Sequence, residues 1–186
     1  MSGFASLRLI VGRMLLGAAL AVTALGSQTV ETTAAQTLTR GPSGLPLPRF
    51  VSLKSARVNS RIGPGLNYSV DWMYLKPGLP MEIIQEYDNW RRVRDSDGAE
   101  GWINQSLLSG RRTGIAAPWQ RGKATEILLL AQPDKNASTV AKLEPGVVGK
   151  IISCNGDWCE MSFDGHAGWM SQALVWGAYP GETIED

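Results

Sequence analysis

The side chains best suited to chemistry in this sequence are two cysteines and one histidine. Cys154 and Cys159 are the only cysteines and flank an Asn-Gly-Asp-Trp core, and His166 is the only histidine. The two thiols suit a redox pair, a metal clip or a disulfide. A thioredoxin-like redox centre has Cys-x-x-Cys at the start of a helix, and a zinc site needs further Cys or His ligands that this chain lacks. The choice therefore depends on the elements that hold the two cysteines.

An internal repeat organises the chain from residue 49 onward. Residues 75–110 read LKPGLPMEIIQEYDNWRRVRDSDGAEGWINQSLLSG, and residues 143–177 read LEPGVVGKIISCNGDWCEMSFDGHAGWMSQALVWG. A Pro-Gly pair, a tryptophan and a Gly-Trp pair recur in the same order, with Trp90 matching Trp158 at an offset of 68 residues. Each copy spans about 60 residues of short apolar runs separated by turn residues, which indicates an all-β barrel or sandwich.

Aromatic side chains are the natural filling for so small a core. Four tryptophans occur in both copies of the repeat, and we expect all of them in the cores. They are Trp90, Trp102, Trp158 and Trp169.

The first copy resembles the bacterial SH3-like domain. The resemblance is carried by ARVNSRIGPGLNYSV, LKPG and DNWRRVRDSDGAEGWI. The second copy is a diverged match, because Ala131-Gln132-Pro133 stands in place of the Arg-x-Gly-Pro loop and Met161 in place of Val93. The resemblance implies small, partly open barrels of five to six strands that bind rather than catalyse. Members are attached to cell-wall hydrolases and other envelope proteins, where some bind peptidoglycan or its peptides.

The N-terminus predicts export. Arg8 and Arg13 precede an apolar run over 14–25 that is followed by small residues, as in a secretory signal. Cleavage after Gly26 and cleavage as late as Ala35 both fit, and an uncleaved anchor is the alternative. In either case we expect a periplasmic or secreted protein, with membrane contact only through an uncleaved N-terminal segment.

The predicted fold class is all-β, with two tandem small SH3-like β-barrels after an N-terminal signal helix and a flexible linker. The predicted segments are a signal peptide (1–26), a flexible linker (27–48), barrel 1 (49–110), a basic inter-repeat linker (111–123), barrel 2 (124–179) and an acidic tail (180–186).

The repeat places the cysteines at a matched position in the second copy. Cys154 corresponds to Glu86 and Cys159 to Arg91. With Gly156-Asp157 as the centre of a two-residue hairpin turn, the cysteines oppose each other across the strands, and the glutamate opposes the arginine in the first copy. A disulfide closing so short a loop would contribute about 1 to 2 kcal/mol. If the turn were centred one residue earlier, the cysteines would be diagonal neighbours and the disulfide strained or absent.

We predict no catalytic residue, no metal site and no cofactor. His166 lies in DGHAGW, which matches DGAEGW of the first copy, and is expected to be an exposed turn residue. A Cys-His hydrolase would need a thiol that the disulfide consumes.

The charge distribution suggests where a ligand would bind. Residues 49–123 contain 12 basic and 7 acidic side chains, and residues 124–186 contain 3 basic and 9 acidic ones, although the whole chain carries only +1. That small net charge argues against a nucleic-acid partner. A solvated strand face with cross-strand ion pairs, or attraction between the two halves, would also account for the charges. The predicted ligand-binding residues, all in the first copy, are Arg57, Arg61, Tyr68, Trp72 and Arg91.

Core or inter-barrel packing is the favoured interpretation of the aromatic members of this set, Tyr68 and Trp72. The second copy has small residues where these two stand, so a sugar- or peptide-binding surface in the first copy is the alternative. The expected partner is a cell-wall polymer or a peptide from it. The alternative is a structural or protein-protein interaction scaffold that docks onto another envelope protein.

Overall fold

A computed structural model of the protein describes residues 39–185. The predicted signal peptide and residues 27–38 of the predicted linker lie outside this range. Within it the chain is all-β, with strands joined by turns and three short 3-10 helices (Gln105–Leu107, Pro118–Gln120 and Gln172–Leu174). None of the helices in the described part is long and apolar enough to cross a membrane.

The first repeat forms a seven-stranded antiparallel sheet. In chain order its strands are β3 (Arg49–Leu53), β4 (Val58–Arg61), β5 (Val70–Tyr74), β6 (Pro80–Tyr87), β7 (Trp90–Arg94), β8 (Glu100–Asn104) and β9 (Leu108–Ser109). Their order across the sheet is β5-β4-β8-β7-β6-β3-β9. A separate hairpin precedes the sheet and consists of β1 (Thr39–Arg40) and β2 (Pro46–Leu47).

The second repeat has the same topology strand for strand. Its strands are β10 (Thr113–Ala116), β11 (Ile127–Leu130), β12 (Thr139–Leu143), β13 (Val148–Asn155), β14 (Trp158–Phe163), β15 (His166–Ser171), β16 (Val175–Trp176) and, as an addition, β17 (Thr183–Ile184). The order across the sheet is β12-β11-β15-β14-β13-β10-β16, and β17 pairs with β13. The duplication inferred from the sequence is therefore present in the strand order.

The two sheets are open rather than closed barrels. In neither of them, across residues 39–185, do the two end strands pair with each other. Nevertheless all seven strands of each repeat contribute to one core cluster, so each sheet wraps around its own core. The pairing of β6 with β7 shifts register between Ile83 and Gln85. The pairing of β13 with β14 shifts at the matching place, between Ile151 and Ser153. Such irregularities bend a sheet.

The prediction that the four shared tryptophans fill the cores is wrong for three of them. Trp90 is buried, but Trp102, Trp158 and Trp169 are only half-buried. In the Gly-Trp-Ile strand it is Ile103 that faces the core, with no exposed surface. Because side chains alternate along a strand, Trp102 then lies on the outer face.

The glycine of the Gly-Trp pair is required by close strand packing. A Cβ on Gly101 would lie 2.0 Å from Oγ of Ser60, and one on Gly168 would lie 2.7 Å from the carbonyl oxygen of Leu130. Aliphatic and sulfur-containing side chains, rather than indoles, fill the cores near these two glycines.

The segment predicted as a basic linker contributes its own strand to the second sheet. Thr113–Ala116 pairs with β13 on one side and β16 on the other. Its place matches that of β3 in the first repeat. At the end of the chain, the predicted acidic tail is also ordered, because Ile184 pairs with Cys154.

The described end of the predicted flexible linker is likewise folded. Residues 39–47 form the β1–β2 hairpin, and Ser43 donates hydrogen bonds from its backbone nitrogen and its hydroxyl to Glu86 at 2.9 and 2.8 Å. These bonds attach the hairpin to β6 of the first repeat.

The two repeats pack against each other through the outer faces of β3 and β6. Val51 and Leu53 of β3 face the core, so the alternating Phe50 faces the second repeat. The Phe50 ring contacts Trp176 edge-on, with centroids 5.1 Å apart, and Tyr179, at 4.8 Å. We call this contact the inter-repeat seam.

The hydroxyl of Tyr179 ties the seam to the first sheet. It donates to Oε1 of Glu82 at 3.0 Å, while Oε2 of the same carboxylate pairs with Arg94 at 2.6 Å. Burial, together with the adjacent Glu82 carboxylate, raises the pKa of Tyr179 far above its usual range. At neutral pH the phenol is therefore protonated and donates to the carboxylate.

Candidate functional site

Exposed apolar side chains are concentrated on the β4–β5 hairpin of the first repeat. Trp72 is 62% exposed and Leu66 79% exposed. The full set on this hairpin and just after it is Ile62, Leu66, Tyr68, Val70, Trp72, Met73 and Leu75. The matching β11–β12 hairpin of the second repeat exposes two large apolar side chains, Leu128 and Val140. We call the first set the hairpin surface.

The loop of this hairpin is held by Arg61. Its Nη1 donates to the carbonyl oxygen of Tyr68 at 2.6 Å and to that of Leu66 at 3.4 Å. The Tyr68 ring lies directly against Gly63, where a Cβ would come within 2.4 Å of the ring. Arg61 therefore positions the loop and its aromatic ring.

A groove of about 370 Å³ is lined by Trp72 and other residues of the first repeat and by Ile115 and Arg121 of the second. Its floor is formed by side chains of β5 and β6, including Tyr74 and Met81, and its far wall includes Ile115 of β10. At the rim, Arg121 pairs with Asp97 at 2.8 Å, which joins the repeats across the groove. We call this the Trp72 groove.

Tyr74 is fixed as a hydrogen-bond donor in this groove. Its hydroxyl donates to Oδ2 of Asp95 at 3.0 Å. Burial, and then the charge and hydrogen bond of Asp95, raise the pKa of Tyr74 well above its usual range. The groove thus combines apolar side chains with the Tyr74–Asp95 hydrogen bond, and Arg121 and Asp97 add an ion pair.

Two further arginines of the first repeat, Arg92 and Arg94, are paired with glutamates. Arg92 pairs with Glu100 at 2.8 Å, and Arg94 pairs with Glu82. Arg57, by contrast, is exposed and has a positive φ of 60° at the start of β4, the opposite end of that strand from Arg61. The cross-strand pairing alternative therefore accounts for most of these charges.

Arg91 is separate from the hairpin surface. It is only 7% exposed, and its Nε lies 3.2 Å from Oε1 of Glu86. Its other nitrogens donate to the backbone carbonyls of Asp88 and Trp90 and to the side chain of Gln105. With its donors so occupied, Arg91 belongs to the internal framework of the repeat.

Glu86 is the centre of that framework. It accepts hydrogen bonds from Ser43 and from Arg49 at 2.7 Å and forms an ion pair with Arg91, and its side chain is 1% exposed. Burial by itself acts to raise the pKa of Glu86, but the hydrogen bonds from Ser43 and Arg49 outweigh it and lower the pKa from 4.5 to about 2. The predicted Glu86–Arg91 cross-strand pair is confirmed.

The same position in the second repeat holds the disulfide. Cys154 directly opposes Cys159, with Cα atoms 4.1 Å apart and the sulfurs bonded. This register centres the turn on Gly156-Asp157, and the alternative turn one residue earlier is excluded.

Over residues 39–185, no cysteine is free, and no group of three or more His, Cys, Asp or Glu side chains could hold a metal ion. His166 is exposed at the start of β15.

The structure thus brings Arg61, Tyr68 and Trp72 together on one hairpin, and leaves Arg57 at its far end and Arg91 inside the repeat. Sequence reasoning missed the contribution of the second repeat, since Ile115 and Arg121 fall in the segment predicted as linker. No local signal marks these two residues, because their role depends on how the repeats pack.

The fold and this surface define a class of protein: two small all-β domains of the SH3-like type in tandem, with an exposed apolar hairpin on the first. A family model agrees with this class, since the bacterial SH3 domain matches residues 54–110 and 123–177, together more than half of the chain. The chain belongs to the bacterial SH3 domain family. Domains of this family are typically binding modules.

Solved structures with similar arrangements share little sequence with this chain. NlpC2 from Trichomonas vaginalis is 13% identical, with a TM-score of 0.31, over 69% of this chain and 48% of its own. NlpC1 from the same organism is 12% identical, with a TM-score of 0.31, over 76% and 47%. An NlpC/P60 family protein from Bacillus cereus ATCC 10987 is 8% identical, with a TM-score of 0.30, over 69% and 56%. This chain spans about half the length of these proteins. No curated protein is similar enough to match it.

Proposed function

We propose that this protein is a non-catalytic, exported binding module of the bacterial cell envelope, and that it binds peptidoglycan or a peptide derived from the wall. The hairpin surface and the Trp72 groove of the first repeat form the binding site. Trp72 and Tyr68 contact the ligand, Arg61 positions the loop, and Arg57 lies at the edge of the site.

The observation that carries this proposal is the asymmetry between two repeats of the same topology. Large apolar side chains are costly to leave in water, and a contiguous exposed group of them marks an interaction site. The first repeat exposes seven such side chains on and just after one hairpin, whereas the matching hairpin of the second exposes two. Packing in the core does not account for the difference, because none of the seven side chains belongs to the core cluster of the first repeat.

The location of β5 supports a ligand with a peptide component. This strand is an end strand, and among the described residues its outer edge pairs with no other strand. Unpaired N–H and C=O groups at such an edge can take an extended peptide as an additional strand. Trp72 then offers an exposed indole face beside that edge for an apolar side chain or the flat face of a sugar ring.

The size of the Trp72 groove supports recognition of a small unit of the wall. Its volume of about 370 Å³ is near the lower end of the range for small-molecule sites. A single amino acid or sugar unit fits such a space, and the rest of a polymer would extend along the hairpin surface.

The disulfide supports a location outside the cytoplasm. Disulfides persist in oxidising compartments such as the periplasm and the cell exterior, and they are rare in the cytosol. Here both cysteines of the chain are joined.

Sedimentation with purified sacculi tests the proposal. We expect the full chain to be retained at low salt and Trp72→Ala to lose most of that retention. Trp119→Ala is the matched control, because Trp119 is also an exposed tryptophan, at 51%, but does not line the groove. Absence of retention of the unmodified chain, or equal loss in both variants, would reject the proposed ligand.

A scaffold that docks onto another envelope protein is the second candidate. The aliphatic part of the hairpin surface, Ile62, Leu66 and Leu75, favours it, since protein interfaces are centred on such buried apolar groups. Failure to bind sacculi, combined with Trp72-dependent capture of an envelope protein, would support this reading. In both cases we expect no hydrolysis of peptidoglycan, with or without reductant.

A further inference from the structure

A second groove, of about 580 Å³, lies between the repeats and is lined by residues of both. Cationic and hydroxyl side chains dominate it, and no carboxylate from the described part of the chain lines it. Its polar lining consists of Lys54, Arg111, Lys150, Ser52, Ser109 and Thr113. We call it the basic groove.

The three cations reach the basic groove from distant parts of the chain. Lys54 follows β3 of the first repeat, Arg111 lies between β9 and β10, and Lys150 is on β13 of the second repeat. Lys150 is fixed next to Thr113, because the two residues are directly opposed in the β10–β13 ladder. The groove therefore exists only when the two repeats are packed together.

Two of the cations keep donors available for a ligand. Nζ of Lys54 donates to the carbonyl oxygen of Ser106 at 3.0 Å, which leaves two of its three N–H groups. Arg111 is exposed, and within residues 39–185 its guanidinium has no ion pair or hydrogen bond. This contrasts with Arg91, Arg92 and Arg94, each of which is paired with a glutamate.

A buried hydroxyl without a partner is the second observation. Thr113 is 7% exposed, and no hydrogen-bond partner for its Oγ1 is found within the described residues. Buried hydroxyls are normally hydrogen-bonded, because losing water without gaining a partner is unfavourable. The residue lines the groove, directly opposite Lys150 in the ladder.

We propose that the basic groove binds a phosphate-type oxyanion that carries at least two negative charges. Lys54 and Arg111 repel each other across the groove, and a multivalent anion removes that repulsion while accepting hydrogen bonds from the ammonium and guanidinium groups. A single carboxylate would balance only one of these two. The ligand is either a soluble phosphate compound or the headgroup of an anionic lipid.

Calorimetric titration of the full chain with inorganic pyrophosphate at low ionic strength tests this site. We expect saturable binding of one pyrophosphate per chain that weakens as salt is added. The double variant Lys54→Gln/Arg111→Gln should bind at least tenfold more weakly. Lys135→Gln is the control, because it removes an exposed lysine of the second repeat that does not line the groove. Urea unfolding of each variant confirms that the fold is retained, as expected for exposed side chains.

Flotation with vesicles that contain cardiolipin, whose headgroup carries two phosphates, distinguishes the two sources of the anion. Binding to the vesicles that is lost in the double variant assigns a lipid headgroup, whereas pyrophosphate binding without vesicle binding assigns a soluble phosphate compound. Absence of binding to both probes, or an equal loss in Lys135→Gln, would overturn the proposal. The sacculus assay on Trp72→Ala is independent, because Trp72 does not line the basic groove.

Discussion

Replacing Glu86 by glutamine removes the buried charge at which the N-terminal hairpin, β3 and the β6–β7 hairpin of the first repeat converge. The carboxylate accepts hydrogen bonds from Ser43 and Arg49 and forms an ion pair with Arg91, which is itself buried. Glutamine has only one acceptor oxygen at this position. Its NH2 group would face the N–H and O–H donors that now point at the carboxylate. We therefore expect loss of the pair and an uncompensated buried guanidinium.

The pKa of Glu86 sets the size and pH dependence of this effect. A fall in pKa from 4.5 to about 2 on folding corresponds to about 3 kcal/mol of stability. The pKa of Glu86 is lower in the folded protein than in the unfolded chain. As the pH falls, the unfolded chain therefore takes up a proton on Glu86 more readily than the folded protein does. The contribution is complete above pH 4.5 and is lost as the pH falls toward 2, with about 2 kcal/mol gone by pH 3.

Urea unfolding at pH 7 and pH 3, followed by tryptophan fluorescence, measures this dependence. At pH 7 we expect Glu86→Gln to lower the free energy of unfolding by about 3 to 5 kcal/mol, the range for a broken buried pair. At pH 3 the difference in unfolding free energy between the variant and the unmodified protein should shrink by about 2 kcal/mol. At that pH the unmodified protein has itself lost this much of the stability that ionised Glu86 contributes.

Glu100→Gln is the matched control for Glu86→Gln. Glu100 also pairs with an arginine of β7, but both partners are partly exposed, at 32% for Glu100 and 44% for Arg92. Exposed pairs contribute about 0 to 1 kcal/mol, so the control should change little at either pH. Equal effects of the two substitutions, or an effect of Glu86→Gln that is the same at both pH values, would refute the account of Glu86 as a buried, charge-stabilised centre.

Two further predictions concern the second repeat and the seam. The double substitution Cys154→Ala/Cys159→Ala should lower the free energy of unfolding by about 1 to 2 kcal/mol, since the closed loop is short, and reductant should then have no further effect on the urea midpoint. A larger reductant effect on the variant than on the unmodified protein would contradict this. Tyr179→Phe should cost about 1.5 to 3 kcal/mol, because its hydroxyl donates to the buried charge of Glu82, whereas Tyr87→Phe, on an exposed ring, should cost close to nothing. Similar unfolding midpoints for the two tyrosine variants would show that the seam does not depend on this bond.

The sequence alone was sufficient for features governed by short-range geometry. The duplication was visible in matched Pro-Gly, Trp and Gly-Trp positions, and the hairpin turn then determined which residues oppose each other. That reasoning correctly paired Glu86 with Arg91 and Cys154 with Cys159, because register in a hairpin follows from the length of its turn. For Tyr68 and Trp72 the sequence favoured core or inter-barrel packing, whereas the structure leaves both side chains exposed.

Only the tertiary structure decided which face of each strand is covered and by what. Trp102 was wrongly expected in the core, because alternation gives two possible faces and hydrophobicity alone favours the inner one. The boundary of the second repeat shows the same limit, since the polar segment at Thr113 becomes a strand only between β13 and β16. Both grooves depend on the packing of repeats whose contacting residues, such as Phe50 and Trp176, are far apart in the chain. Such contacts leave no periodic signal in the sequence, because they arise from the shapes of two finished surfaces.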